Sequence, residues 1–167
     1  VEYCEKKNIL LGVENVTPEG LKFISRFNAR NVGIVLDTHH TLSFVDHIYP
    51  PLSSLLETIK KCDDKLIHVH ANDVIKISER NIESLMHYPG VANKAKEHVE
   101  KGTIAGHLLP YDGIIDWKLI VQTLEEDRYK GMFLVEPYPV FPQFREKLLK
   151  RMTKRFKKMQ SLMSTHI

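Results

Sequence analysis

Two cysteines in 167 residues, Cys4 and Cys62, are too few and too far apart to brace a small fold with disulfides. That excludes the bridge-stapled secreted scaffolds and suits a reducing, cytoplasmic setting. No apolar run approaches the roughly 18–20 residues that cross a bilayer, and no leader pattern opens the chain. Low-complexity tracts and a clean linker are also missing, so residues 1–167 read as a single domain. A large excess of charge of either sign is missing too, with 24 Lys+Arg against 21 Asp+Glu. The exception is local: Arg145 to Lys158 carries eight Lys/Arg and one acid, Glu146. At helical spacing these charges read as the solvated face of a terminal helix, so nucleic acid is not expected as a partner. Val1 to Lys7 reads as the end of a helix, and a chain that starts inside something larger is therefore expected.

What is present is a repeated motif. Leu66-Ile-His-Val-His70 is a short apolar run that delivers an imidazole at its C-terminal end. Strand side chains alternate faces, which predicts Leu66, His68 and His70 on one face and Ile67 and Val69 on the other. Ile9–Glu14, Val32–Asp37 and Met132–Glu136 follow the same plan, each an apolar run stopped by a carboxylate. Four strands thus end in Glu14, Asp37, His70 and Glu136, and four such coincidences define a candidate site.

Between the strands the period changes. Thr17-Pro18-Glu19 is a helix start, with Leu21, Phe23, Ile24 and Phe27 as its apolar stripe. Leu52 to Lys61 predicts a helix that buries Leu52, Leu55, Leu56 and Ile59. Trp117 to Asp127 predicts another with Leu119, Ile120, Thr123 and Leu124 inward. The last helix runs from about Gln143 to Met163, with Phe144, Leu148, Leu149, Met152, Phe156, Met159 and Met163 on one face. Strands alternating with helices imply an α/β fold of parallel (β/α) units. Val74 to Asp116 stands out as a long connection in which Glu83–Met86 and Asn93–Lys101 could be short helices. Ala105 to Trp117 reads as a turn-rich loop returning over the strand ends. Connections of that length usually carry function or structure of their own.

Val13-Glu14-Asn15, Leu36-Asp37-Thr38-His39-His40, His70-Ala71-Asn72-Asp73, His107 with Gly113-Ile-Ile-Asp-Trp117, and Leu134-Val135-Glu136 occur in that order. Together they resemble the sugar isomerase/epimerase superfamily with the xylose-isomerase-like TIM barrel, which also contains apurinic endonucleases of the endonuclease IV type. The resemblance covers nearly the whole chain but only the C-terminal half of the barrel, four of its strands. It implies one divalent metal (Mn, Mg, Co or Zn) held by Glu14, Asp37, His70 and Glu136. It further implies Glu14 and Glu136 as the acid/base pair, and His40, His107 and Lys76 as contacts to substrate. Lys76 stands where the epimerases carry Arg, and Tyr111-Asp112-Gly113 departs from the family's loop glycines.

The implied activity is isomerisation or epimerisation of a sugar or sugar phosphate through an enediolate. A cation acidifies the C–H beside a carbonyl, one glutamate removes the proton and the other returns it. Two alternatives remain open. One is a zinc-dependent apurinic endonuclease, although Ala105-Gly-His107 lacks the carboxylate that branch uses in its last loop. The other is a catalytically incomplete half-barrel that only binds metal. Four strands would leave edges at Ile9–Glu14 and Met132–Glu136, which soluble proteins cover. A second copy, or an N-terminal half missing from this chain, is expected to complete the barrel.

Overall fold

The structure is a computed structural model that describes residues 1–14, 18–26, 29–43, 52–137 and 142–163. Thr17, Phe27, His47 and His166 lie outside the described residues. A short helix, Glu2–Lys6 (α1), precedes strand Leu11–Glu14 (β1), helix Pro18–Ser25 (α2) and strand Val32–Asp37 (β2). Helices Thr38–Ser43 (α3) and Leu52–Cys62 (α4) lead through a 3-10 turn into strand Leu66–His70 (β3). Next come strand Asp73–Lys76 (β4), helices Ile82–Leu85 (α5), Pro89–Ala92 (α6) and Ala95–Lys101 (α7), and strand Ile104–Leu108 (β5). Helix Trp117–Glu126 (α8), strand Met132–Leu134 (β6), a 3-10 turn and helix Arg145–Met163 (α9) complete the described chain.

The apolar runs form one parallel sheet in the order β1-β2-β3-β6. Its outer layer is the main core: Ile34, Leu36 and Val69 from the strands meet Ile24, Leu55, Ile59, Trp117, Ile120, Leu124 and Met159 from the helices. Each such side chain contributes about 1.5–3 kcal/mol on burial, which is why the amphipathic helices settle on this face. β1 and β6 are the edges, and Val13, Met132 and Leu134 stay exposed along them. Both edge strands are shorter than the sequence suggests, beginning at Leu11 and ending at Leu134.

Strict alternation fails within β3. Ile34 pairs with Leu66 but Val35 pairs with His68, so Ile67 is an extra residue at a bulge. Paired residues share a face. Leu66 therefore joins Ile34 in the main core, while Ile67 turns to the opposite face, where the expectation had put Leu66. There Ile67 lies over two glycines. A Cβ on Gly33 would come within 2.4 Å of Ile67 Cγ2, and one on Gly12 within 2.5 Å of Val35 Cγ2.

The long connection is a second structural unit rather than a loop. β4 and β5 form an antiparallel ribbon, closed by a core of Ile77, Leu85, Tyr88, Val91, Ala105 and Leu108. The residues expected to open a turn-rich loop at Ala105 are strand. Beyond it, Asp73 organises the return. Its buried carboxylate accepts from the backbone N–H of Val74, Tyr111 and Ile115 and from Trp117 Nε1 at 2.8–3.1 Å.

Several inward-facing expectations fail. Phe23, Leu119, Leu149 and Phe156 are exposed. α9 instead divides its contacts. Phe144, just before it, and Leu148 pack on the ribbon core, whereas Met159 enters the main one. Its charges are not all solvated either, since Arg151 and Arg155 both turn in to Asp112. Lys158 lies over the Tyr111 ring at 4.0 Å.

Candidate metal centre

Register brings the strand ends together. Asp37 and His70 are direct partners across β2 and β3. Glu14 closes β1 on one side, and Glu136 lies two residues beyond the end of β6 on the other. One ligand atom from each of Glu14, Asp37, His70 and Glu136 falls within 4.8 Å of all the others. His70 Nδ1 is the hub, 2.8 Å from Glu14 Oε1, 3.4 Å from Glu136 Oε2 and 4.0 Å from Asp37 Oδ2. Exposure is graded: the Asp37 side chain is buried, and those of Glu14 and Glu136 are 38% and 52% exposed. The two glutamates therefore face an open side.

Asp37 has two jobs. Oδ1 accepts from the backbone N–H of His39 at 2.8 Å and His40 at 3.0 Å, which caps the first turn of α3. Oδ2 faces the cluster and accepts from Asn72 Nδ2 at 2.8 Å. Capping and site-building are usually rival explanations of a strand-end carboxylate, and here each takes one oxygen.

Beside this set lies a second cluster, His39, His40 and His107, again with one nitrogen from each inside 4.8 Å. His107 Nε2 and His40 Nε2 are 3.1 Å apart. His107 reaches them because β5 bulges, with Asp73 opposite Leu108 but Ile75 opposite Ala105. His107 itself takes φ 47°, an uncommon conformation that recurs at bulges and functional sites. His39 is buried with its Nδ1 unpartnered. Burial, then the neighbouring His40, pulls its pKa down to about 4, against an opposing pull from Asp37. Its ring occupies the space a Cβ on Gly106 would need, 1.8 Å from Nε2.

Lys76 joins neither cluster. It is exposed at the end of β4, its side chain against Gly102 in an open groove with Ser78, Arg80 and Val99. His68 is half-buried, with its ring 5.1 Å from that of His70. Burial lowers its pKa. Asn72 and Thr38, both fully buried, were not singled out from the sequence. Thr38 Oγ1 donates to Asn72 O at 2.6 Å and accepts from Asn72 N–H at 3.0 Å. The only sequence signal was a polar residue sandwiched in His70-Ala71-Asn72-Asp73.

Three carboxylates around one imidazole repel one another unless a positive charge lies among them. A mixed oxygen and nitrogen donor set of this kind suits a hard or borderline divalent cation, so the residues fit a metal. Among the described residues, no helix is long and apolar enough to cross a membrane.

Known proteins give the same architecture. The chain is 30% identical over 112 residues to an inosose dehydratase from Glaesserella parasuis, covering 64% of this chain and 34% of that protein. A D-psicose 3-epimerase from Clostridium cellulolyticum H10 superposes with TM-score 0.61 at 19% identity, covering 97% of this chain and 52% of its own. A 3-keto-D-glucoside 4-epimerase from E. coli superposes with TM-score 0.55 at 14% identity, covering 96% and 49%. The chain thus spans about a third to a half of the length of these proteins. Xylose isomerase-like TIM barrels as a family match residues 1–158. With its parallel β/α units, four strands of the barrel, and that match, the chain belongs to the xylose isomerase-like TIM barrel family.

Proposed function

We propose that this site isomerises or epimerises a sugar or sugar phosphate, with Glu14, Asp37, His70 and Glu136 holding one divalent cation. The observation that carries the reading is placement. Glu14 and Glu136 come from the two outer strands and flank the Asp37–His70 pair, converging on His70 Nδ1 from both sides. A bound cation would polarise the carbonyl oxygen of a ketose and acidify the neighbouring C–H. Glu14 or Glu136 takes that proton as general base, and the other carboxylate delivers one to the opposite face of the carbon. His40 and His107, paired at Nε2, would exchange that mutual contact for hydrogen bonds to substrate hydroxyls. The likeness to the two epimerases and the inosose dehydratase supports a polyol or keto-sugar substrate.

The test is metal content of the purified chain, together with solvent deuterium incorporation into a ketose, in wild type and Glu136→Gln. Stoichiometric metal with exchange that falls about 10²–10⁴-fold in the variant supports the reading. Unchanged metal and exchange in Glu136→Gln removes Glu136 from both roles. The open edges of β1 and β6 are where a second copy, or further strands, would complete the barrel. Mass by light scattering beside the exchange assay reports which species turns over.

The three-histidine cluster favours a second reading. It offers an all-imidazole site beside the first, as a zinc-dependent phosphodiester hydrolase acting at abasic DNA would need more than one metal. Cleavage of an abasic duplex with two or more bound zinc ions would support this reading, and intact duplex would exclude it.

A further inference from the structure

Asn72 lies between β3 and β4 with no exposed surface, and its side chain contacts two members of the site, Asp37 and Glu136. Nδ2 donates to Asp37 Oδ2 at 2.8 Å, and Oδ1 accepts the Glu136 backbone N–H at 3.1 Å. Nδ2 also stands 3.2 Å from His107 Nδ1, which in turn is 3.1 Å from the Glu136 carbonyl oxygen. The tautomer of His107 decides which of these two it bonds. The amide orientation itself is settled by its partners, since a carboxylate needs the N–H and a backbone N–H needs the oxygen.

This matters most at Glu136. The β3–β6 ladder closes with Ala71 N–H donating to Leu134 O, so Glu136 is beyond the last backbone rung. The Asn72 side chain supplies the next acceptor and extends the ladder by one step. The Asn72 backbone is itself clamped by the Thr38 hydroxyl through its N–H and its carbonyl. Two carboxylate-bearing residues from strands that are not neighbours are thereby set from a single buried amide.

We infer that Asn72 is a positioning residue: it fixes Asp37 and Glu136 relative to one another and so sets the geometry of the four-residue cation site. The inference rests on that site holding a cation. Partners that orient ligands typically change metal affinity 10–100-fold when removed. A leucine has nearly the shape of Asn72 but neither hydrogen bond, and alanine lacks both shape and bonds.

The experiment titrates the full chain with Mn2+ and with Co2+, in wild type, Asn72→Leu and Asn72→Ala. Expected are Mn2+ dissociation constants weakened about 10–100-fold and a changed Co2+ absorption spectrum in both variants. Dissociation constants within twofold of wild type and a superimposable Co2+ spectrum would overturn the inference, whatever happened to thermal stability. A wild-type chain that binds neither ion would instead sink the metal site itself, and Asn72's role with it. Should the Asn72 variants not fold, Thr38→Val and Thr38→Ser probe the same tether from its backbone side. Valine is expected to weaken Mn2+ binding and serine to retain it, and equal binding in both would overturn the inference.

Discussion

Asp73→Asn puts the heaviest load on the smallest chemical change. In the wild type Oδ1 accepts from Val74 and Ile115, and Oδ2 from Tyr111 and the Trp117 indole, all in the protein interior. Asparagine keeps one acceptor oxygen and turns an NH2 toward two donors. Hydrogen bonds to a charged group are worth about 1.5–3 kcal/mol each, so losing two costs roughly 3–6 kcal/mol. Removing a buried charge offsets part of that, leaving a net loss of about 2–4 kcal/mol. For a domain of this size, that lowers Tm by roughly 5–15 °C. Urea unfolding followed by Trp117 fluorescence reads it, because the sole tryptophan is itself one of the four partners. A pH series adds a sign. Burial raises the Asp73 pKa despite the hydrogen bonds that lower it. The folded chain therefore holds the proton longer than the unfolded one, and this group's stabilisation is full below its unfolded value and falls as pH rises through its folded value. Asn lacks that slope. A variant within 0.5 kcal/mol of wild type, roughly the noise of such measurements, with the same pH dependence would refute this account of the loop.

Gly106→Ala forces a Cβ into the His39 ring; the expected loss is about 1–3 kcal/mol, with altered histidine NMR resonances, and an unchanged spectrum would contradict the packing described. Burial pushes the Cys62 thiol up to about 12, so mass spectrometry after iodoacetamide should find Cys4 modified in the folded chain and both cysteines in urea. Modification of both at equal rates in the folded chain would show that α4 does not shield Cys62. Burial, followed by Arg151, lowers the His87 pKa, so its stabilisation is whole above pH about 6.5 and is lost as pH falls toward the native value. His87→Phe should flatten stability over that range, and superimposable profiles would exclude His87 as the source.

The four strand ends were legible because each is an apolar run halted by one ligand-type residue; parallel pairing aligns Glu14, Asp37 and His70, while Glu136, past the last rung of β6, is also set by the Asn72 amide. The pairing of Asp37 with His70 is the direct result. The bulge at Ile67 was not legible, because nothing local distinguishes Ile67 from Val69; it is the glycines at 12 and 33, on other strands, that leave room for it. The ribbon was hidden for a related reason. Ile-Ala-Gly-His-Leu has little strand propensity of its own, and Ile104–Leu108 is extended because β4 is its partner. Nothing local signals the burial of His39, since the glycine that admits its ring stands 67 positions later. Lys76 followed from family position, and the end of β4 carries it to a different groove.

His107 belongs by chain to the ribbon and by contact to the sheet, through His40, Asn72 and the Glu136 carbonyl. Glu14, Asp37 and His70 stand on the sheet's own strands, whereas Glu136, past the end of β6, is held through Asn72. Slackening at the border between the two units would reach His107 and Asn72 together, and through Asn72 the carboxylates of Asp37 and Glu136. On the proposed reading, injury there would disturb the cation site and the substrate contacts together, so ion affinity and stereochemical fidelity would be expected to fail as one.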